Sequence, residues 1–421
     1  MLNQMYEKFY KTNVIALSIS ALLFSSSSMA MTLDQANTAV TNLISSNQFK
    51  KISAIIDQSH EKIVEENIKL QQIASPPFGE SEKAKAFAQL MTEAGVTTKI
   101  DKEGNVLALW KGTKTKNNKV TAVIAHLDTV FQQGTDLKIR RDGTKIYGPG
   151  ILDDTRGLVA LLAYVRAMKQ ANITTEQDIL FVGSVGEEGL GDLRGVKYLF
   201  NEGEYKGRIQ SAIIVDGGEP ERVVNEGPGS KRYEVHFKGP GGHSYKAFGL
   251  VNPMYALGNA MAEFGKLKVP QGTTYSVGVV GGGTSVNAIP NDAWMQVDMR
   301  STSSSDLKNV ESSFIQIVNK AANEENSFRK TTTGKISLDS KLVGDRPPGQ
   351  TKNDDGLIQL SLAATRTLGW QPQLASSSTD ANIPMSLGIP AVAIGAGVGG
   401  NAHSAENEYL DVEKDSSVKA L

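Results

Sequence analysis

This 421-residue chain carries a set of short apolar runs, each breaking off near a charged or imidazole group. Residues 120–125 lead into His126-Leu127-Asp128, 179–185 into Gly186-Glu187-Glu188, and 212–215 into Asp216. A fourth run, Pro390–Ile394, leads through a Gly-rich loop to His403. Runs this short that stay apolar throughout are buried on both faces, as in parallel strands with helices packed on either side. Asn105–Trp110 reads as another strand. The helices are also visible: Gly157–Met168 is strongly apolar, and Asp355–Leu368 has a helical pattern. From Thr32 to Ile73 the spacing of Ile52, Ile55, Ile56 and Ile63 predicts helix, ended by Ser75-Pro76-Pro77. In such a sheet the strand C-termini share one edge, where open α/β folds bind their ligands.

The texture changes near Gly227. Tyr233–Phe237, Tyr275–Val280, Ala293–Arg300 and Lys335–Leu338 read as strands, Met254–Leu267 and Ser305–Ala322 as helices. That order, βαββαβ, is the ferredoxin-like split motif. The α/β pattern resumes after Pro347-Pro348. The expected fold is a mostly parallel α/β sheet flanked by helices, in two segments (31–228 and 342–421), with an inserted α+β domain at 229–341.

Residues 1–30 read as a signal peptide. Lys8 and Lys11 precede an apolar run, Val14–Phe24, shorter than the roughly 20 residues that span a bilayer. Ser28-Met29-Ala30 offers a cleavage site, so the expectation is export, to a periplasm or beyond, with a mature chain beginning near Met31.

Forty-four Lys and Arg balance 45 Asp and Glu, which gives no electrostatic reason to expect nucleic acid or an anionic membrane as partner. Cysteine is absent, so any metal must be held by His and carboxylates. Those residue types gather at the strand ends. Glu187 and Glu188, side by side after an apolar strand, repel each other and lose solvation unless a cation offsets the cost. Asp153-Asp154, in Gly148-Pro149-Gly150-Ile151-Leu152-Asp153-Asp154, precedes the apolar helix, and two of the five histidines, His126 and His403, belong to the same set.

The segments 125–130 (AHLDTV), 147–154 (YGPGILDD), 187–189 (EEG) and 215–217 (VDG) resemble, in order and spacing, those of the M20 family of di-zinc metallopeptidases, nearest the peptidase T-like and carboxypeptidase-like branch. The resemblance runs from about Ile68 to the end and makes the inserted domain the family's lid, between two parts of a catalytic domain. It implies that His126 binds one metal with Asp216, and His403 the other with Glu188. Asp153 would bridge the two, and Glu187 would be the general base. Asp128 would orient His126 by accepting its second ring N–H. It also implies a cis Asp153–Asp154 bond. The cofactors would be two divalent ions, zinc, or else cobalt or manganese.

On the lid, His243 in Gly239-Pro240-Gly241-Gly242-His243-Ser244 resembles a histidine that reaches into a neighbouring subunit's site to stabilise an oxyanion. That implies a homodimer through the lid. Asn287 and Arg300 look like substrate-holding residues, Arg300 through a carboxylate. In the family that the chain resembles, members with Asp at the position of 216 tend to be aminopeptidases or di- and tripeptidases and those with Glu carboxypeptidases or deacylases, so the resemblance implies a small peptide as substrate. The alternatives are an amidase, deacylase or carboxypeptidase acting on N-acylated amino acids, or a non-catalytic binding protein on the same fold. Gly395–Gly400 fits GxGxxG, but no apolar helix follows, which argues against a dinucleotide site.

Overall fold

The computed structural model describes residues 30–114 and 118–421. The expected export segment therefore lies, Ala30 apart, outside the described residues. The chain divides into two compact units, one ending at Gly227 and resuming over Gly349–Leu421, the other spanning Pro228–Pro348.

The first unit begins with three helices, Leu33–Ser45, Asn47–Gln58 and His60–Gln71, where the sequence suggested one helical stretch. Serine makes the first break: Ser46 is extended, and its side chain accepts from the Phe49 amide at 3.1 Å to cap the next helix. The sheet strands follow as β1 (Thr97–Ile100), β2 (Val106–Trp110), β3 (Val120–His126), β4 (Asp178–Ser184), β5 (Ile209–Val215) and β6 (Arg222–Gly227). The second unit contributes β7 (Gly229–Lys238), β8 (Thr273–Gly282), β9 (Asp292–Ser301) and β10 (Ser337–Arg346). The first unit then adds β11 (Gly349–Gln350), β12 (Gln373–Ser376) and β13 (Ala391–Ile394).

The nine-stranded sheet runs β1-β2-β4-β3-β5-β13-β6-β11, with β12 beside β6. Its central neighbours β4, β3, β5 and β13 are parallel. Alternation explains why these strands look apolar throughout. Ile179 and Phe181 enter the core on one face, while Leu180 and Val182 enter the core on the other. On the first face lies the helix Thr155–Ala171, with Leu158, Val159, Leu161, Leu162 and Val165 all fully buried. Each such side chain contributes about 1.5–3 kcal/mol. Asp154 caps this helix through the Gly157 amide at 3.1 Å, and Asn172 ends it in the left-handed conformation.

A separate four-stranded sheet joins Arg140–Asp142 and Lys145–Tyr147 to Val398–Gly400 and Tyr409–Asp411. It sets the stretch that carries His403 beside the stretch that leads to Asp153.

In the second unit an antiparallel sheet, β8-β9-β7-β10, packs with the helices Pro253–Phe264 and Ser304–Phe328 around Phe237, Phe264, Met295 and Phe314. Second, third, first, fourth is the strand order of the ferredoxin-like motif. The last strand, β10, pairs with β7 as far as Arg346↔Ser230, beyond the end expected at 341. It lies at the sheet edge, and its exposed Asp339, Ser340 and Lys341 give no apolar alternation to read. Among the described residues no helix is long and apolar enough to cross a membrane.

Candidate metal centre

Because β4, β3, β5 and β13 are parallel neighbours, their C-terminal ends meet on one edge. His126 closes β3, Glu187 and Glu188 follow β4, and Asp216 follows β5 with its amide bound to the Ile394 carbonyl at 2.8 Å. Asp153 reaches the edge from the turn before the apolar helix, and His403 from the loop between Val398–Gly400 and Tyr409–Asp411.

His126 Nε2 lies 3.0 Å from Asp153 Oδ1, and His403 Nε2 lies 3.2 Å from Asp153 Oδ2 and 3.0 Å from Glu188 Oε1. Three overlapping triplets have ligand atoms within 4.8 Å of one another: His126–Asp153–Asp216, Asp153–Glu188–His403 and His126–Glu187–Glu188. All six residues expected around a metal pair are thus brought together. His126 is buried and His403 is 56% exposed, so the cluster opens to solvent on the His403 side.

The electrostatics show what such crowding costs. Burial and the neighbouring Asp153 charge lift the Asp216 carboxyl to about 7, against the pull of His126. Burial also opposes ionisation of Asp153, yet the hydrogen bonds from His126 and His403 hold it well below the usual carboxylate range. Hydrogen bonds to Asp153 and Glu188 raise His403 to about 10. Burial opposes charging His126, but Asp153 and the nearby carboxylates hold it well above the usual imidazole range. Imidazole nitrogens and carboxylate oxygens are the donors a zinc-type ion takes, and divalent cations would offset the repulsion that lifts Asp216. The donor set fits.

Three further carboxylates lie behind these residues. Asp128 is fully buried, and its expected role needs correction. The acceptor at His126 Nδ1 is the Asp128 backbone carbonyl at 3.0 Å, while the nearest carboxylate oxygen is 3.7 Å away. The side chain instead accepts the amides of Glu187 at 3.0 Å and Glu188 at 2.8 Å. Two amides presented by the turn after β4 are better partners for an anion than a ring already satisfied by a carbonyl. Asp154, joined to Asp153 by a cis bond, accepts the His126 amide at 3.0 Å, and burial raises its pKa well above normal. The third, Glu408, accepts amides of the Asp153 turn, and burial lifts it to about 7. The fully buried Lys83 lies in the field of all three; burial lowers its pKa to about 8 while they pull it upward. Sequence reasoning missed Glu408 and Lys83, because a group that binds backbone amides or balances buried charge leaves no motif.

In the second unit His243 and Asn287 are neighbours. A two-stranded ladder pairs His243 with Ala288, the Ser244 amide donates to the Asn287 carbonyl at 2.9 Å, and both side chains are exposed. Arg300 sits apart on β9, its Nε donating to Asp298 Oδ2 at 2.6 Å.

Strand-end donors from a mostly parallel sheet, clustered at cation-binding distances, define a metallohydrolase site. The model of peptidase family M20/M25/M40 matches residues 122–420, and the chain belongs to that family. The uncharacterized protein YqjE of Bacillus subtilis is 24% identical over 374 residues, 85% of this chain and 95% of that protein. Among solved structures, aminopeptidase PepT from Bacillus cereus superposes with a TM-score of 0.67 at 22% identity, over 86% of this chain and 96% of that one. An amidase of the hydantoinase/carbamoylase family from Burkholderia vietnamiensis gives 0.63 at 14%, over 86% and 95%.

Proposed function

We propose that this metallohydrolase cleaves peptide bonds in small peptides, as an aminopeptidase or di- or tripeptidase. Two divalent ions, zinc first among them, would be held by His126, Asp153 and Asp216 on one side and by His403, Asp153 and Glu188 on the other. The observation that carries this reading is the Asp153 carboxylate, whose two oxygens face two imidazoles at 3.0 and 3.2 Å, each with a further carboxylate at hand. A shared carboxylate between two half-sites suits a pair of cations. When bound, such ions supply Lewis acidity and lower the pKa of the attacking water.

The chain's own residues do the rest. Glu187 takes the water's proton and delivers it to the departing amine. Asp128 holds the Glu187 amide, and with it the base, in place. Asp216 in the third ligand position, together with the fold likeness to an aminopeptidase, supports peptides as substrates. The fold likeness to an amidase keeps N-acylated amino acids as the second reading. We also propose a homodimer through the inserted domain, with His243 serving the partner's site and Asn287 and Arg300 holding substrate, and export directed by the first thirty residues.

The deciding experiment strips the enzyme with EDTA, restores Zn²⁺, and offers free di- and tripeptides beside N-acetyl amino acids. Turnover of the peptides is expected. Turnover of the acylated set alone overturns the peptide reading, and failure to bind any divalent ion overturns the metal centre itself.

A further inference from the structure

The turn that carries Asp153 is held by a residue outside the proposed ligand set. Glu408 is fully buried. Its Oε1 accepts the amides of Leu152 and Asp153, each at 3.0 Å, and its Oε2 accepts the Gly150 amide, also at 3.0 Å. The Glu408 backbone carbonyl accepts the Gly148 amide at 3.0 Å. Four amides of one six-residue turn, 148–153, thus point inward onto a single residue. The turn needs its glycine: Gly150 has φ +69°, and a Cβ there would meet Thr129 Cγ2 at 2.6 Å.

Glu408 follows His403 by five residues, in the loop between the two short strands Val398–Gly400 and Tyr409–Asp411. One loop therefore delivers His403 to Asp153 Oδ2 by its side chain and grips the Asp153 backbone through Glu408.

We infer that Glu408 is a positioning residue: its carboxylate is the buried anion around which the Asp153 turn is wound, and it sets Asp153 at a fixed distance from His403. This rests on the two-ion reading of the site. Substitution separates shape from charge. In Glu408→Gln the amide oxygen can still serve Leu152 and Asp153, but its NH₂ faces the Gly150 N–H, donor against donor. In Glu408→Asp the charge stays but the carboxylate falls short by a C–C bond, about 1.5 Å.

The test uses the full chain, wild type and both variants, stripped of metal and titrated with Zn²⁺ and, separately, Co²⁺. Ions per chain, affinity, the Co²⁺ visible spectrum and the thermal midpoint are recorded. Both variants are expected to stay folded, to bind at least one ion about 10- to 100-fold more weakly, as loss of an outer partner does, and to show a changed Co²⁺ spectrum. A purely structural role would lower the midpoint but leave the affinity and spectrum of the folded fraction unchanged, and that result overturns the inference. A second measurement needs no variant. In the metal-free wild type the amides of Gly150, Leu152 and Asp153 should be protected from hydrogen exchange, and rapid exchange there also overturns it. If the wild type binds no ions but those amides are protected, the metal reading fails and the wound turn stands.

Discussion

Replacing Asp128 separates two accounts of what this carboxylate does. In the structure its oxygens accept the amides of Glu187 and Glu188, at 3.0 and 2.8 Å, in a fully buried position. Asp128→Asn keeps the shape but turns one acceptor into a donor, so one of the two amides loses its partner. An unpaired buried N–H costs about 1–3 kcal/mol. If that cost falls wholly on the transition state, kcat/KM drops roughly 5- to 150-fold. Asp128→Ala orphans both amides, for about 2–6 kcal/mol shared between stability and rate. The His126 ring should be indifferent to the Asn change, because its Nδ1 is bound by the backbone carbonyl at 3.0 Å, which the substitution leaves in place. The assay combines steady-state kinetics, guanidinium unfolding and metal titration. An Asn variant with wild-type rate and stability would refute the role. So would one that loses the ion proposed at His126 and Asp216 while keeping the one proposed at His403 and Glu188.

Glu187→Gln should leave the bound ions in place and lower turnover by about 10²- to 10⁴-fold; an undiminished rate removes Glu187 from proton transfer. Lys83 makes stability depend on alkaline pH. Its pKa of about 8 lies below the ordinary 10.5, so between those values the unfolded chain binds more protons and stability rises with pH. The rise is bounded at about 3 kcal/mol. Lys83→Met should flatten it when urea unfolding is compared between about pH 7.5 and about pH 10, and an equally steep rise in the variant would refute the assignment. If His243 serves a partner's site, His243→Ala and Glu187→Gln, each inactive alone, should regain about a quarter of wild-type activity after subunit exchange, since half the dimers are mixed and each holds one complete site. No recovery in demonstrably mixed dimers sinks the shared site.

Much of this architecture is legible in the chain because burial writes it there. The runs that became β3, β4, β5 and β13 are apolar on both faces, and their parallel direction places His126, Glu187, Glu188 and Asp216 together without any knowledge of side-chain contacts. The α+β insertion announces itself by strands that alternate. Other elements carry no period. Arg140–Asp142, Lys145–Tyr147 and Tyr409–Asp411 are three residues each, too short for alternation to register. Val398–Gly400 forms a strand inside what its glycines make look like a loop. Asp128 illustrates a subtler limit. The family resemblance assigns it to the His126 ring, but only the path of the backbone decides that the carbonyl takes the ring and the carboxylate the next turn's amides.

The place of β13 in the sheet has a consequence for how the molecule is made. It lies between β5 and β6, yet the whole inserted unit is translated before it. While the ribosome is still adding residues, the inserted unit, contiguous in sequence, can close on itself; the sheet cannot. The inner strand β13, His403, Glu408 and the Ser417 that holds the buried Arg156 guanidinium all emerge late. The carboxylates at the strand ends therefore wait for their second imidazole until β13 is laid between β5 and β6, and a nascent chain stalled before that point lacks one side of the proposed two-ion site.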